Sequence, residues 1–96
     1  MSEVVGNGKR HEIRGLKGRD HYILIDDEPC VMITFPDNNP ENWNYQSTAT
    51  ALARIISVAM QHGVPCDMVK KQLKESSMQE KDTPSVLLEA MEKHKW

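Results

Sequence analysis

The chain has 96 residues, of which 27% are charged, and its net charge is −2. This length accommodates one domain but not two, and the acidic balance argues against duplex nucleic acid, whose phosphates bind basic faces. No apolar run approaches the roughly 18 residues of a membrane span, and no basic-then-apolar leader is present. These features predict a cytoplasmic protein with reduced thiols at Cys30 and Cys66.

The N-terminal half of the sequence predicts a sheet. Residues 1–8 are small and Gly-containing, so we expect a flexible segment there and a single domain over residues 9–96. Three stretches rich in residues that suit a pleated sheet follow, with the sequences KRHEIRGL, HYILI and CVMITF. Because the short turns KGRD and DDEP separate them, we expect a three-stranded antiparallel sheet.

The next segment predicts a loop and then a helix. The stretch PDNNPENWNYQ is typical of a loop, and Ser47 or Thr48 is expected to N-cap the helix that follows. Gly63 and Pro65 are the expected stop signals of that helix. Its expected buried positions recur at helical spacing and are Ala49, Leu52, Ala53, Ile56, Ala59 and Met60.

Two further helical segments complete the chain. PCDMVKKQLKESS predicts the second helix, and the third is expected to be capped by Asp82 or Thr83, with Pro84 in its first turn. The expected buried stripe of the third helix is Val86, Leu87, Ala90 and Met91. Three strands followed by two or three helices predict an α+β fold with the helices packed on one face of the sheet.

These segments, in this order, resemble the TSCPD domain. That small domain is found at the C-terminus of adenosylcobalamin-dependent (class II) ribonucleotide reductases and also alone. HYILIDDEPCVMITF is similar to the family's strand, acidic turn and strand. TALARIISVAMQHGVPCDMVKKQLK is similar to its helix, Gly-Val break and second helix, and DTPSVLLEAMEKH is similar to its last segment. The resemblance covers roughly residues 9–94.

The sequence departs from the family pattern where the family takes its name. The place of Thr-Ser-Cys-Pro-Asp is occupied by Asp82, Thr83, Pro84 and Ser85, with no cysteine. The Gly-rich loop usual before the first helix is replaced by DNNPENWNYQ. The resemblance therefore implies a retained scaffold without thiol chemistry, and neither a metal nor a cofactor is expected.

A looser resemblance, in size and element order, is to phage anti-Thoeris sponge proteins. These small α+β chains oligomerise and sequester cyclic nucleotide-derived immune signals without cleaving them. The resemblance implies a homo-oligomer, located in the host cytoplasm if the chain is phage-encoded. It also implies ligand contacts from arginine and aromatic side chains near helix ends.

One group of residues carries the binding hypothesis. The expected ligand-binding residues are Trp43, Tyr45, Gln46, Ser47, Thr48, Arg54 and Arg10. Helix N-terminal N–H groups and nearby hydroxyls would attract an anion. An aromatic ring would stack on a base, and arginine would fork onto a phosphate.

A purely structural interpretation of the same residues stays open. Ser47 would be a plain cap, Trp43 would cover the border of the core, and Arg54 would pair with an acid. The basic run that contains Arg10 would be the solvated face of an edge strand.

The histidines and cysteines give no chemical signature. His11, His21, His62 and His94 stand at no known metal-ligand spacing. Cys66 is expected in the first turn of a helix, where a thiol pKa is lowered, which makes it the more reactive cysteine. No base is placed beside it by the sequence, so a small apolar filler is the expected role.

These observations favour a binding protein over an enzyme. The leading hypothesis is a non-catalytic nucleotide-binding protein that sequesters a cyclic nucleotide-type immune signal, as anti-defence sponges do. The alternative is a ribonucleotide-reductase-related TSCPD interaction module without a small-molecule ligand. An enzyme that consumes a cyclic nucleotide is the third hypothesis.

Overall fold

The computed structural model describes residues 2–5 and 8–96. Four strands form one antiparallel sheet in chain order: β1 (Ser2–Val5), β2 (Gly8–Arg14), β3 (Asp20–Asp26) and β4 (Cys30–Thr34). Three helices follow: α1 (Trp43–Gln61), α2 (Cys66–Ser76) and α3 (Thr83–Lys93). The predicted α+β fold, with the three expected strands followed by helices, is confirmed, and the sheet has one strand more than expected.

Strand β1 was not predicted. Ser2–Val5 pairs antiparallel with β2, with Ser2 opposite His11 and Val5 opposite Gly8. The sequence signal for this hairpin is the Asn-Gly dipeptide at 7–8 next to two valines. Positions 1, 6 and 7 of the segment expected to be flexible lie outside the described residues, so its flexibility stays a prediction.

Side chains alternate between the two faces of the sheet, as the period of two along a strand requires. The buried face carries His11, Ile13, His21, Ile23, Ile25, Val31 and Ile33. The opposite face carries Arg10, Tyr22, Leu24 and Met32, which are half-buried or exposed. Two histidines therefore occupy core positions among isoleucines.

Helices α1 and α3 cover the buried face of the sheet, and α2 packs against these two helices. α1 packs on β4, α3 packs on β2 and β3, and α2 packs against α3. Their buried residues include Ala49, Ala53, Ile56, Met60, Val69, Leu73, Val86, Leu87, Ala90 and Met91. The predicted stripe of α3 is confirmed, whereas Leu52 and Ala59 in the stripe of α1 are only half-buried.

Helix α1 begins at Trp43, four residues before the first predicted cap. A 3-10 turn over Pro40–Asn42 runs directly into it. Asn39 caps that turn by accepting from the N–H of Glu41 at 3.1 Å, and Pro40 supplies the fixed φ that a first helical position favours. The proline and asparagines that indicated a loop thus start a helix.

The prediction that Ser47 or Thr48 caps α1 is therefore wrong. Both residues lie inside the helix, and both hydroxyls donate to the carbonyl of Asn44, at 3.1 and 2.9 Å. Back-bonding of this kind satisfies a hydroxyl proton locally.

The other stop and cap signals are confirmed. Gly63 follows α1 with a φ of +94°, a conformation that favours glycine. Asp82 caps α3, and its carboxylate accepts from the N–H groups of Ser85 at 3.1 Å and Met78 at 2.8 Å. Although partial burial opposes the change, these hydrogen bonds lower the pKa of Asp82.

Candidate functional site

Helix α1 has an inner side against the sheet and an outer side toward solvent. The outer side consists of Trp43, Asn44, Ser47, Thr48, Thr50, Ala51, Arg54, Ile55, Val58 and Gln61, all exposed. Among the 19 residues of the helix, Arg54 is the sole Asp, Glu, Lys or Arg. Exposed helix faces normally carry charged side chains, whereas the centres of protein interfaces are depleted of them. The outer side of α1 therefore has the composition of a binding surface.

Arg54 has no ion pair or hydrogen bond with any residue in the ranges 2–5 and 8–96. Two cavities flank it. The first, of ≈ 440 Å³, is lined by Ser47, Thr50, Ala51, Arg54 and Ile55. The second, of ≈ 460 Å³, lies between α1 and β4. Both volumes fall in the range of small-molecule sites.

Trp43 lies on the same outer side but far from Arg54. The two are eleven residues apart, which is about three helical turns and about 16 Å along the axis. The indole is 55% exposed, so it does not cover the core. Trp43 and Arg54 are therefore both exposed in one chain, but they are too far apart to contact the same part of a ligand.

Tyr45, by contrast, lies on the inner side of α1. The Thr83 hydroxyl donates to the Tyr45 hydroxyl at 2.7 Å, and this hydroxyl lies 2.7 Å from Nε2 of His21. The guanidinium of Arg19 lies 4.0 Å from the centroid of the tyrosine ring. Tyr45 therefore joins β3, α1 and the start of α3, and its ring and hydroxyl are engaged within the fold.

His21 is the buried end of this Tyr45 network. Its imidazole is fully buried and packs edge-on against Phe35, with ring centroids 5.2 Å apart. Burial lowers the pKa of His21, although backbone carbonyls nearby favour the protonated ring. A neutral imidazole that accepts from the Tyr45 hydroxyl fits this environment.

The remaining expected site residues are also tied into local structure. Gln46 Nε2 donates to the carbonyl of Asp37 at 3.0 Å. The hydroxyl protons of Ser47 and Thr48 are used inside the helix, so they do not add donors for an anion as expected.

Arg10 is separated from the outer side of α1. It projects from the sheet face opposite the helices, where its guanidinium lies 5.0 Å from the centroid of the Tyr22 ring. It also lies 3.8 Å from a carboxylate oxygen of Glu12. The structure does not join Arg10 and Arg54 into one site.

A second histidine network fastens the C-terminus and was missed from the sequence. Nε2 of His11 lies 3.4 Å from Nδ1 of His94, and Nε2 of His94 lies 3.2 Å from a carboxylate oxygen of Asp27. Trp96 donates to the same oxygen at 3.2 Å. These hydrogen bonds lower the pKa of Asp27, while burial and the neighbouring His94 lower that of His11.

The sequence that forms these strands and helices matches that of a known protein family. A model of the TSCPD domain matches residues 3–95. The chain belongs to the TSCPD domain family. No curated protein and no solved structure matches it. The TSCPD match includes all of β1 except its first residue, the other three strands and all three helices, including the outer side of α1.

Within this TSCPD domain the thiols carry no sign of activation. Burial raises the pKa of Cys66, which contradicts the expectation of a lowered value at a helix start. Cys30 lines the ≈ 460 Å³ cavity beside Arg54, and no histidine or carboxylate lines it. Across residues 2–5 and 8–96, no three metal-binding side chains lie close enough to share an ion. None of the described helices combines the length and apolarity of a membrane span.

The sequence contained a signal for the two missed histidines. His11 precedes Ile13 by two positions, and His21 precedes Ile23 and Ile25 at the same spacing. A period of two places each histidine on the face of its isoleucines, which in this TSCPD domain is the buried face.

Proposed function

We propose that this TSCPD chain is a non-catalytic protein that binds a small anionic ligand of nucleotide type on the outer side of α1. The proposal depends on the guanidinium of Arg54, which has no partner among residues 2–5 and 8–96 and is exposed between two cavities on a helix side with no other charge. A planar guanidinium forks onto phosphate oxygens through two N–H donors. The neighbouring Ile55 and Val58 offer apolar surface for the rest of a nucleotide.

Binding without turnover is the outcome that these groups favour. Ser47 and Thr50 are the hydroxyls of the ≈ 440 Å³ cavity, and both donate to backbone carbonyls of α1. Neither has a base beside it among the lining residues, so no general acid or base faces a ligand there. The biological use we propose is sequestration of a cyclic nucleotide-type signal by a homo-oligomer in the cytoplasm.

Thermal melting against mono-, di- and trinucleotides, linear and cyclic, tests the proposal. A ligand present at 100 times its Kd stabilises the folded state by about 2.7 kcal/mol, which raises Tm by roughly 10–20 °C in a domain of this size. We expect one nucleotide class to give such a shift and to be recovered intact by chromatography.

Two arginine variants then localise the site. Arg54→Ala is expected to keep the far-UV circular dichroism spectrum of the folded protein and to lose the nucleotide-dependent shift in Tm. Arg14→Ala is the matched control, since Arg14 is also exposed but pairs with Asp20 at 3.2 Å on the sheet. A flat panel, or an equal shift in Arg54→Ala and wild type, would contradict the proposal.

A second candidate function is a protein-interaction module related to ribonucleotide reductase. It is favoured by an apolar cavity of ≈ 360 Å³ lined by residues of α1, α2 and the first turn of α3. Ile55 is 65% exposed and Met68 53% exposed at this cavity, an unusual exposure for large apolar side chains. Co-purification with the large reductase subunit, together with a flat nucleotide panel, would favour this function.

A further inference from the structure

The outer side of α1 is self-complementary. It carries an aromatic face, Trp43, and a cation, Arg54, that has no partner in the part of the chain that the structure describes. A shallow cavity with Ser47 and Ala51 on its walls lies between them. Cations bind aromatic faces, with arginine the more frequent partner. A surface that contains both members of a complementary pair matches a second copy of itself related by a two-fold axis.

The helix geometry determines how two such surfaces meet. When two copies of a helix pack antiparallel about a two-fold axis, each residue lies opposite a residue of the other copy. The two residue numbers of every such pair add up to the same value. If the two-fold axis passes beside Thr48 and Ala49, Trp43 of one copy lies opposite Arg54 of the other. By symmetry, Arg54 of the first copy then lies opposite Trp43 of the second at the other end of the helix pair. Near that axis, Ser47 faces Thr50, and their small side chains allow the two backbones to approach.

We propose that two copies of this chain pair through antiparallel α1 helices, with Trp43 of each copy lying in the cavity beside Arg54 of its partner. Each indole then occupies one side of an otherwise open cavity of ≈ 440 Å³ and leaves the rest of it open, as part of an aromatic contact at the centre of the interface. The antiparallel arrangement also places the positive end of each helix dipole beside the negative end of the other.

Charge supports a second copy over a different partner. Arg54 is the single charged residue of α1. An acidic partner protein could therefore pair with Arg54 but would find no further basic side chain on this helix. A second copy needs no added charge, since Trp43 supplies the π face and the rest of the surface is neutral. Interface centres show this depletion of lysine and acidic residues.

The pairing also completes the site proposed above, and this part of the inference rests on that function. Within one chain, Arg54 has no partner among the described residues, and the hydroxyls of Ser47 and Thr50 beside it donate to backbone carbonyls. In the pair, the indole of one copy and the guanidinium of the other border the same cavity. A nucleotide would then meet a stacking surface and an anion fork from different chains.

The decisive experiment measures the mass of the 96-residue chain in solution by analytical ultracentrifugation. Wild type is expected at twice the 11.0 kDa of one chain. Ala51→Glu places a carboxylate in the paired surface and is expected at the mass of one chain. Gln72→Glu adds the same charge to the exposed surface of α2, beside the ≈ 360 Å³ cavity, and should keep the paired mass.

Mixing two variants tests the exchange of Trp43 and Arg54 between copies. Trp43→Ala and Arg54→Ala should each weaken pairing about tenfold or more, because each loses both contacts. An equimolar mixture forms a hybrid with one intact Trp43–Arg54 contact, so its Kd is expected to lie between those of wild type and the single variants. Far-UV circular dichroism checks that both variants are folded.

No nucleotide enters this experiment, so its failure is separate from failure of the nucleotide panel. The inference is overturned if wild type has the mass of one chain at tens of micromolar, or if Gln72→Glu separates the copies and Ala51→Glu does not. A mixture that pairs no more tightly than either variant alone would also overturn it. A paired wild type with a flat nucleotide panel would support the pairing and contradict the proposed function.

Discussion

The inner and outer sides of helix α1 differ in whether their polar side chains have hydrogen-bond partners. On the inner side, the hydroxyls of Tyr45 and Ser57 are satisfied by partners from three other elements. On the outer side, the guanidinium of Arg54 has no partner among the described residues. Burial explains the first arrangement, because an unpaired buried polar group costs free energy. No contact within the described fold explains the second, and this difference favours a functional role for the outer side.

The largest expected effect on the inner side comes from Ser57→Ala. The Ser57 hydroxyl accepts from the N–H of Val31 at 2.7 Å and lies 2.9 Å from the carbonyl of the same residue. Its removal leaves the buried N–H of Val31 without its acceptor and takes away the proton that the carbonyls of Val31 and Ala53 share, so the free energy of unfolding should fall by about 2–3 kcal/mol. Urea denaturation measures this change.

The matched control lies on the outer side of the same helix. Thr50→Ala also removes a hydroxyl, but Thr50 is exposed and donates only to the carbonyl of Gln46 at 2.8 Å. Its free energy of unfolding should stay within about 0.5 kcal/mol of wild type. Equal effects at Ser57 and Thr50 would remove the distinction between the two sides.

Tyr45→Phe should have the next largest effect. It keeps the ring beneath Arg19 but deprives His21 and Thr83 of a hydrogen-bond partner at 2.7 Å each. We expect the free energy of unfolding to fall by about 1–2 kcal/mol in the same urea assay. A neutral substitution would show that the hydroxyl network contributes nothing, and Tyr45 would then be a candidate ligand contact again.

The smallest effect near neutrality is a dependence of stability on pH. The pKa of His21 in the fold is lowered, chiefly by burial, from about 6.5 in the unfolded chain. Below that value the unfolded chain binds more protons than the folded one. The free energy of unfolding therefore decreases as the pH is lowered below about 6.5, and it stops decreasing once the pH is below the pKa of the folded state. His11, whose pKa is also lowered, contributes in the same direction.

Urea titrations at several pH values between 5 and 8 measure this slope. His21→Gln should flatten it, because one of the two buried imidazoles is removed. Arg54→Ala should leave the slope unchanged, since a guanidinium stays protonated throughout. A slope of wild-type size in His21→Gln would exclude His21 as its source.

Most of the fold could be predicted from local patterns. Alternating apolar residues indicated β3 and β4, and the helical spacing of Val86, Leu87, Ala90 and Met91 indicated α3. The start of α1 could not be found in this way, because proline and asparagine in sequence indicate a loop, whereas here they form a capped 3-10 turn that continues into the helix.

The candidate site was only partly predictable. The exposure of Arg54 and Trp43 follows from their helical phase, three turns apart on the side away from the buried alanines. The inner position of Tyr45 depends on His21 and Thr83, which are 24 and 38 residues away in sequence. Long-range contacts of this kind leave no local pattern.

The bond between Ser57 and Val31 also bears on fibril formation. β4 is the last strand of the sheet, and Val31 turns its N–H and carbonyl away from β3 toward the helix. Alternation along the strand directs the main chain of Ile33 the same way, so Ser57 already occupies half of the groups that an incoming strand would need. The outer edge of β4 is therefore a poor template for cross-β growth. Copies of the chain can associate through side-chain surfaces without forming a polymer at this edge.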